Sequence, residues 1–226
     1  LYTVFVGVVL LLCYRLWRSP TWGTAALLGV AIAAATLTRS EGLTFLAFVV
    51  APLVVVLPGV TWGRKAGLAL VTGVVTLTLM APWVAHNLGR FTEPVYLASG
   101  TGRVMAYGNC DATYYGDKLG YWDDSCTLKD FPDGDESVVD SAHRALATDY
   151  MSENTGRLPV VVAARIGRMW SVYAPIQGAN LDILFERRGA VPVRTGLAMY
   201  YALLGLSVAG LAVQFKRKVT IIPSVG

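Results

Sequence analysis

The stretch Thr38-Arg39-Ser40-Glu41-Gly42 separates two long apolar runs and holds the only charged residues between positions 18 and 64. Every other acidic residue of the chain lies between positions 93 and 186. A charge pair that joins two membrane helices is costly inside hydrocarbon, so we expect it to lie at a bilayer face and to serve a function there.

The composition indicates a membrane protein. The chain is 54% hydrophobic and only 15% charged, with a mean hydropathy of +0.51, whereas soluble domains carry roughly 25% charged residues. Apolar runs that approach the roughly 20 residues needed to cross hydrocarbon predict spans near 1–17, 23–38, 42–60, 65–84 and 195–215. We therefore predict an all-α membrane protein with five transmembrane helices and an extracytoplasmic loop region that contains short helices.

The basic residues predict the orientation of these spans. Seven of them lie in short turns beside the runs, at positions 15, 18, 64, 65, 216, 217 and 218, and the positive-inside rule places such clusters in the cytoplasm. The same rule accounts for the net charge of +4 without a nucleic-acid partner. The chain begins inside an apolar run, and we expect it to be the C-terminal part of a longer protein.

Three regions follow from this orientation. Residues 1–84 are predicted to form a four-span bundle, 85–194 an extracytoplasmic segment, and 195–226 the last span with a cytoplasmic basic tail. Within the middle segment, 100–134 is rich in turn-forming residues and predicts irregular structure. Helical periodicity predicts a helix over 136–153, and the apolar but charged run 159–174 predicts an interfacial helix. The predicted location is the plasma membrane, with the active face outside.

The cysteines predict one disulfide. Cys110 and Cys126 lie 16 positions apart in the predicted outer segment, where an oxidising compartment permits a bond worth about 3 kcal/mol on the chain-entropy model. Cys13 lies in the first span and is expected to be a buried hydrophobe. No metal site is predicted, because the chain has two histidines and no CxxC or HxxxH spacing.

Two interpretations of Arg39 and Glu41 are open. One is a local cap, in which Thr38 or Ser40 caps the third span and Glu41 complements its helix dipole. The other is a binding role, in which the guanidinium of Arg39 holds a lipid phosphate and Glu41 orients it, since the guanidinium fork donates two hydrogen bonds at once.

Two further groups of polar residues are candidates for the same site. His86, Asn87 and Arg90 follow the predicted fourth span and either line a headgroup or sugar site or are ordinary polar residues at a helix exit. Arg165 and Arg168 share one face of the predicted interfacial helix and either clamp a lipid-linked phosphate or attract anionic headgroups.

An aromatic loop is the fourth candidate. Rings suit stacking on sugar C–H bonds, and carboxylates and amides suit hydroxyls. The alternative is a disulfide-pinned loop that packs its own aromatic side chains. The residues of the loop are Tyr107, Asn109, Asp111, Tyr114, Tyr115, Asp117, Tyr121, Trp122 and Asp123, of which Tyr107, Asn109, Asp111 and Tyr115 are the candidate substrate ligands.

Several of these motifs together resemble a known group of enzymes. They are Leu37-Thr38-Arg39-Ser40-Glu41-Gly42-Leu43, the span end Ala81-Pro82-Trp83, and the stretch from Tyr107-Gly108-Asn109-Cys110-Asp111 through Tyr114-Tyr115-Gly116 to Gly120-Tyr121-Trp122. With the order of Arg165, Arg168, Trp170, Tyr173 and Pro175, they resemble bacterial membrane glycosyltransferases of the GT-C superfamily. The most similar branch is family 39, which includes protein mannosyltransferases and aminoarabinose transferases, in its actinobacterial form.

The resemblance implies an inverting transfer of a sugar from a polyprenyl-phosphate donor to an extracytoplasmic lipid, glycan or protein acceptor. Membrane lipid and this lipid-linked sugar are then the expected partners, and no other cofactor is implied. The family's catalytic base lies in an early outer loop, so we expect it outside this chain, with Glu41 as a substitute candidate.

Two other classes of function are open. A transporter or flippase of lipid-linked substrates favours broken helices and inverted repeats at mid-membrane, and a non-catalytic membrane protein could bind a partner through its outer loop. The concentration of polar residues at one predicted face favours the enzyme. We expect one pocket under the aromatic loop, lined by some of Arg39, Glu41, His86, Arg90, Arg165 and Arg168.

Overall fold

A computed structural model describes residues 1–127, 130 and 132–217 of the chain. Within those residues the regular structure is helical, with ten α-helices and no strand, which confirms the predicted all-α class. Of the predicted basic tail, Lys216 and Arg217 are described, whereas Lys218 and the rest lie outside the described residues.

The chain divides into two compact units, which are described separately. The first consists of the described residues of 1–103 and 129–144, and the second of those of 104–128 and 145–226. The region boundaries predicted at 84 and 194 concern membrane topology and stay predictions.

The first unit contains the apolar N-terminal helices. They are α1 (Tyr2–Arg18), α2 (Trp22–Thr38), α3 (Ala51–Val56) and α4 (Trp62–Arg90). A 3₁₀ turn at Ser40–Leu43 and a π-helical turn at Leu46–Val50 precede α3, so the predicted third span is a composite helix. The first residues of α5 (Thr101–Gly108) and of α7 (Glu136–Glu153) also belong to this unit.

Local sequence explains where α2 begins and why α4 is a helix with a proline inside it. The hydroxyl of Thr21 caps α2 by accepting a hydrogen bond of 3.2 Å from the Thr24 amide. Helix α4 runs past the predicted end at 84 and contains Pro82 in its interior. A proline removes one helical hydrogen bond and bends the helix, but membrane helices tolerate it where neighbours satisfy the freed carbonyl.

The core of the first unit lies among α1, α2 and α4. Leu12, Leu16, Leu28, Ile32 and Leu68 are all buried there. Helices α2 and α4 approach each other closely because small residues lie between them. The hydroxyl of Thr72, itself fully buried, donates to the Ala25 carbonyl across this interface at 3.1 Å.

Among the residues that the structure describes, two helices are long and apolar enough to cross a membrane. They are α4 and α10 (Ala190–Lys216), and the helical segments Trp22–Thr38 and Ser40–Val56 are apolar but shorter. No residue in the apolar window of α10 is buried within the protein. A long apolar helix with so little protein cover is unfavourable in water, so these helices indicate a membrane protein.

The second unit contains the rest of α5 and α7 and four further helices. These are α6 (Asp111–Tyr114), α8 (Leu158–Met169), α9 (Pro175–Phe185) and α10. Helix α7 matches the predicted 136–153. The prediction of irregular structure over 100–134 is wrong where α5, α6 and a 3₁₀ turn at Asp124–Cys126 form. The predicted interfacial helix ends at Met169, and its place at a membrane surface stays a prediction.

The predicted disulfide is confirmed. Cys110 and Cys126 are bonded with their Cα atoms 5.5 Å apart, and Cys13 is buried and free. Gly120, inside the closed loop, has a φ of +72°, and a Cβ at this position would lie 2.8 Å from the Cβ of Ala164. The backbone of the loop therefore packs against α8 with no room for a side chain at Gly120.

Candidate functional site

Arg39 and Glu41 form an exposed ion pair at the end of α2. The Nη2 of Arg39 lies 3.2 Å from the Oε1 of Glu41, and the two side chains are 62% and 60% exposed. The guanidinium also lies over the ring of Tyr2, 5.8 Å from its centroid. Because an exposed pair contributes only about 0–1 kcal/mol to stability, stability gives little reason for its position between two apolar helices.

The hydroxyls beside this pair do not form the cap that the local interpretation requires. Thr38 donates to the Ala35 carbonyl at 2.7 Å, at the end of α2. The 3₁₀ turn that follows begins after Arg39 with no side-chain cap among the described residues. The local-cap interpretation therefore lacks its expected hydrogen bond to the Thr38 or Ser40 hydroxyl, whereas Glu41 does lie in the first turn of the 3₁₀ helix, as that interpretation expects.

An apolar groove runs between the ends of α2 and α4. Its volume is about 510 Å³, and it is lined by Leu37, Leu79, Pro82, Trp83 and His86. The rings of Trp83 and His86 lie 5.9 Å apart. Leu37 precedes Arg39 by two residues, so the groove leads toward the end of α2 that carries the guanidinium.

The three predicted polar residues of α4 occupy different surroundings. His86 lines the groove. Asn87 is buried, and its amide donates to the carbonyls of Tyr96 and Leu97 at 3.5 Å each. Arg90 lies over the ring of Phe91, 5.0 Å from its centroid. All three lie on the last turns of α4, whereas the sequence suggested that they follow the helix.

A second cleft of about 440 Å³ lies beside the loop that follows α4. Its polar lining residues are Ser40, Glu93, Thr101, Ser137, Asp140, Ser141 and Arg144. The buried carboxylate of Asp140 accepts hydrogen bonds from the Gly102 and Arg103 amides and from Arg144. Asp135 accepts from the amide and hydroxyl of Thr92 at 2.9 Å, and its hydrogen bonds, that of Ser137 first, lower the pKa of its carboxyl.

In the second unit, Arg165 joins α8 to the disulfide loop. Its Nη2 donates to the Gly108 carbonyl and, at 3.2 Å, to the Oδ1 of Asn109. The same Asn109 oxygen accepts from the hydroxyl of the fully buried Tyr114 at 2.7 Å. Asn109 and Arg165 therefore stabilise the loop in this structure.

Arg168 holds the same loop one turn further along α8. Its Nε donates to the Leu119 carbonyl at 2.7 Å, and its Nη2 donates to the Asp117 carbonyl and to the Oε1 of Gln177. The guanidinium lies within 5.4 Å of the ring centroids of Tyr121 and Tyr173. Burial lowers the pKa of Arg168, and the two tyrosines oppose this shift.

The aromatic loop packs many of its rings on one another. Trp122 contacts Tyr107, Tyr121 and Phe185 with centroids 5.8, 5.6 and 5.1 Å apart. This packing is what we expect if the loop is not a sugar site but a disulfide-pinned loop that packs its own aromatic side chains. A sugar-binding role for Tyr107 stays a prediction.

Asp111 and Tyr115, the other predicted sugar ligands, contact the segment that ends α7. The Oδ1 of Asp111 accepts from the Tyr150 hydroxyl at 2.6 Å, and burial, followed by this hydrogen bond, raises the pKa of Tyr150. The Tyr115 hydroxyl donates to Asn154 at 3.4 Å. Both side chains are therefore engaged within the protein, and a role in sugar binding stays a prediction.

The sequence did not indicate a polar cavity in the second unit. Its volume is about 420 Å³, and its lining includes Tyr121, Arg168, Ser171, Tyr173, Asp182 and Tyr200. The sequence feature that could have indicated this cavity is the Tyr200-Tyr201 pair near the start of an apolar span, because tyrosines are enriched where membrane spans meet the polar interface. The hydroxyl of Tyr200 donates to the Trp170 carbonyl at 3.0 Å, and that of Tyr201 donates to the Ser171 carbonyl.

The predicted pocket lined by some of the six charged and histidine residues stays a prediction. Arg39, Glu41, His86 and Arg90 belong to the first unit, and Arg165 and Arg168 belong to the second. No group of three metal-ligating side chains comes together in the part of the chain that the structure describes. Searches with protein-family models, curated proteins and solved structures find no match to this chain.

Proposed function

We propose that this chain belongs to a multi-pass plasma-membrane glycosyltransferase, of the GT-C kind, that inverts the anomeric carbon of a sugar taken from a polyprenyl-phosphate donor. The acceptor is an extracytoplasmic lipid, glycan or protein. The observation that carries the proposal is the exposed guanidinium of Arg39 at the end of an apolar helix, two residues after Leu37, which lines the apolar groove with Leu79 and Trp83.

This arrangement suits an amphipathic lipid phosphate. The isoprenoid chain has an apolar groove to lie in, and the phosphate has a guanidinium at the depth where a membrane helix ends. Arginine binds phosphate oxygens through two parallel hydrogen bonds, which lysine cannot reproduce. Glu41 accepts one guanidinium hydrogen bond and so orients the fork.

The helix lengths are compatible with five spans. Helices α1 and α2 have 17 residues each and cover about 25 Å at 1.5 Å per residue, slightly less than the hydrocarbon thickness of about 30 Å. Local thinning of the bilayer accommodates such a difference at small cost. With 29 residues, α4 covers about 43 Å, so its polar end reaches the headgroup region.

In the proposed reaction the acceptor hydroxyl loses its proton to a base, and its oxygen bonds to the anomeric carbon on the face opposite the phosphate. The bond between that carbon and the phosphate oxygen breaks, and the phosphate keeps the electron pair. Arg39 stabilises the negative charge that grows on the leaving phosphate. We assign no residue of this chain as the base, and Glu41 is engaged by Arg39.

A matched pair of arginines tests the proposal. Arg39 lies over Tyr2, and Arg18, at the other end of α1, lies over Tyr14 at nearly the same distance, 5.8 and 5.9 Å. Membranes that contain the full-length enzyme with each substitution would be assayed for transfer from labelled polyprenyl-phosphate sugars, per folded molecule. We expect Arg39→Ala to lower transfer about 100-fold, which is the size of effect seen when a charge-stabilising donor is removed.

The controls separate binding from folding. Arg39→Lys should recover only part of the transfer, because it keeps the charge and loses the fork, and Arg18→Ala should transfer normally. Equal losses in Arg39→Ala and Arg18→Ala would contradict the proposal. Movement of the labelled lipid across the membrane without sugar transfer would instead indicate a flippase.

A further inference from the structure

The polar cavity of the second unit has the size and lining of a small-molecule site. Its volume of about 420 Å³ falls within the range of about 300–1,000 Å³ that is usual for ligand pockets. It lies where α8, α9 and the start of α10 meet, and the link between α8 and α9 forms part of its wall.

Arg168 brings a positive charge to this cavity, and its hydrogen-bond acceptors are neutral. They are two backbone carbonyls and the Oε1 of Gln177. A guanidinium remains protonated in proteins, and a partly buried cation favours a nearby anion. Arg188, which also lines the cavity, is instead paired with Glu186. Arg168 is therefore the group that would hold an anion.

Other residues of the lining suit hydroxyl groups. The carboxylate of Asp182 accepts one hydrogen bond, from the Tyr121 hydroxyl at 3.3 Å, and a carboxylate has about four acceptor positions. The side chains of Tyr121, Tyr173 and Tyr200 add ring faces and hydroxyls. A cation, an acidic acceptor and aromatic rings in one cavity are complementary to a sugar that carries a negative charge.

The backbone around the cavity is also unusual. Ser171 and Ala174, both in the lining, have φ angles of 51° and 46°, in the left-handed region that costs a residue with a Cβ about 1–3 kcal/mol. The Tyr201 hydroxyl holds the Ser171 carbonyl. The φ of Ser171 belongs to the turn that ends α8, in which the Val172 amide donates to the Gly167 carbonyl at 2.8 Å. Ala174 is therefore the lining residue whose left-handed φ the end of α8 does not explain.

We propose that this cavity binds a small anionic sugar, either a sugar phosphate or a uronate, with the anionic group at Arg168 and the hydroxyls at Asp182 and the tyrosines. Binding at this cavity does not depend on the proposed transfer reaction. A binding measurement therefore tests it separately from the activity of Arg39 variants.

Glycines supply variants that block the cavity and leave the contacts of Arg168 in place. Gly178 and Gly196 both line the cavity, and a Cβ at either would meet no atom within 4 Å. The Cβ of a leucine at either position therefore meets no clash, and we expect the rest of the side chain to extend into the cavity. Gly205 and Gly210, also on α10, have equally open surroundings and do not line the cavity, so Gly205→Leu and Gly210→Leu are matched controls.

The experiment is calorimetric titration of the purified protein in nanodiscs with four probes: glucose 1-phosphate, glucuronate, methyl glucoside and inorganic phosphate. We expect saturable binding of at least one anionic sugar, with methyl glucoside and phosphate about tenfold weaker or more. Gly178→Leu and Gly196→Leu should weaken that binding about tenfold or more, and the two control variants should bind like the unaltered protein.

Each outcome decides the proposal. Preference for glucose 1-phosphate or for glucuronate supports it and identifies the anionic group. Binding of inorganic phosphate as tight as that of both sugars would overturn the sugar assignment. Absence of saturable binding, or equal effects of the cavity and control substitutions, would overturn the site. A correctly folded Arg168→Met variant that still binds the anionic sugar normally would overturn the role of Arg168.

Discussion

The hydroxyl of Thr76 donates a hydrogen bond of 3.1 Å to the carbonyl of Gly29 and thereby joins α4 to α2. Thr76 is fully buried, and the contact lies next to a close backbone approach. A Cβ at Gly29 would lie 2.6 Å from the Thr72 carbonyl oxygen. Small residues and threonine hydroxyls are the usual means by which membrane helices pack tightly, and this contact joins the middle of α2 to the middle of α4.

We expect Gly29→Ala to destabilise the first unit. The new methyl would overlap the Thr72 carbonyl and Val75, and overpacking of this kind costs about 1–3 kcal/mol. Gly73→Ala is the matched control, since a Cβ there meets no atom within 4 Å and alanine favours the helix by about 1 kcal/mol. Thermal unfolding of both variants in detergent should show a lower midpoint for Gly29→Ala and an unchanged or higher one for Gly73→Ala. Equal midpoints would contradict the observed helix packing.

Features that depend on local sequence were predictable. The predicted span 23–38 matches α2 (Trp22–Thr38) because its apolar run ends at a charged residue, and the Cys110–Cys126 bond followed from the number and position of the cysteines. Helix α4 continues to Arg90, past the predicted end of its span at 84. A proline in a packed membrane helix loses one hydrogen bond and need not end the helix.

The surroundings of the candidate residues were less predictable. The partners of Arg168 include the backbone carbonyls of Asp117 and Leu119, and every residue has a carbonyl, so the sequence gives no sign of which one an arginine contacts. The cavity brings together residues from Tyr121 to Tyr200. No periodic pattern connects positions so far apart in the chain, and only the tertiary packing places them side by side.

Substitution of two glycines in the disulfide loop measures the cost of a left-handed φ separately from the cost of a steric clash. Gly116 and Gly120 have φ angles of +73° and +72°, but a Cβ at Gly116 meets no atom within 4 Å, whereas one at Gly120 would overlap Ala164 and the Arg165 amide. We expect Gly116→Ala to lose about 1 kcal/mol, the cost of the left-handed conformation alone. Gly120→Ala should lose about 1–3 kcal/mol more through overpacking against α8.

Chemical denaturation of both variants, followed by tyrosine and tryptophan fluorescence, measures this difference. The disulfide should remain intact in both, which mass spectrometry of the unreduced protein can verify. Similar losses in the two variants would show that the loop does not approach α8 as closely as the structure indicates.

Protonation of Asp123 at acid pH should lower the stability of the second unit. Its side chain is only 7% exposed and pairs with Lys118, and the Ser125 amide donates to it at 2.9 Å. Burial alone raises the pKa of this carboxyl, but the hydrogen bonds from Lys118 and Ser125 outweigh burial and lower the pKa from 3.8 to about 2. The folded protein therefore favours the ionised carboxylate.

A folded-state pKa below the unfolded value contributes stability above the unfolded pKa, and this contribution is lost as the pH falls through the folded pKa. For Asp123 the loss should occur as the pH falls from 3.8 to about 2. Asp123→Asn removes the titrating group, so its stability should fall less steeply in that window and should be lower than that of the unaltered protein at neutral pH. Asp124→Asn, at the neighbouring position, should retain the full pH dependence. Thermal midpoints recorded between pH 2 and pH 7 would test this, and parallel curves for Asp123→Asn and the unaltered protein would contradict the assigned role of Asp123.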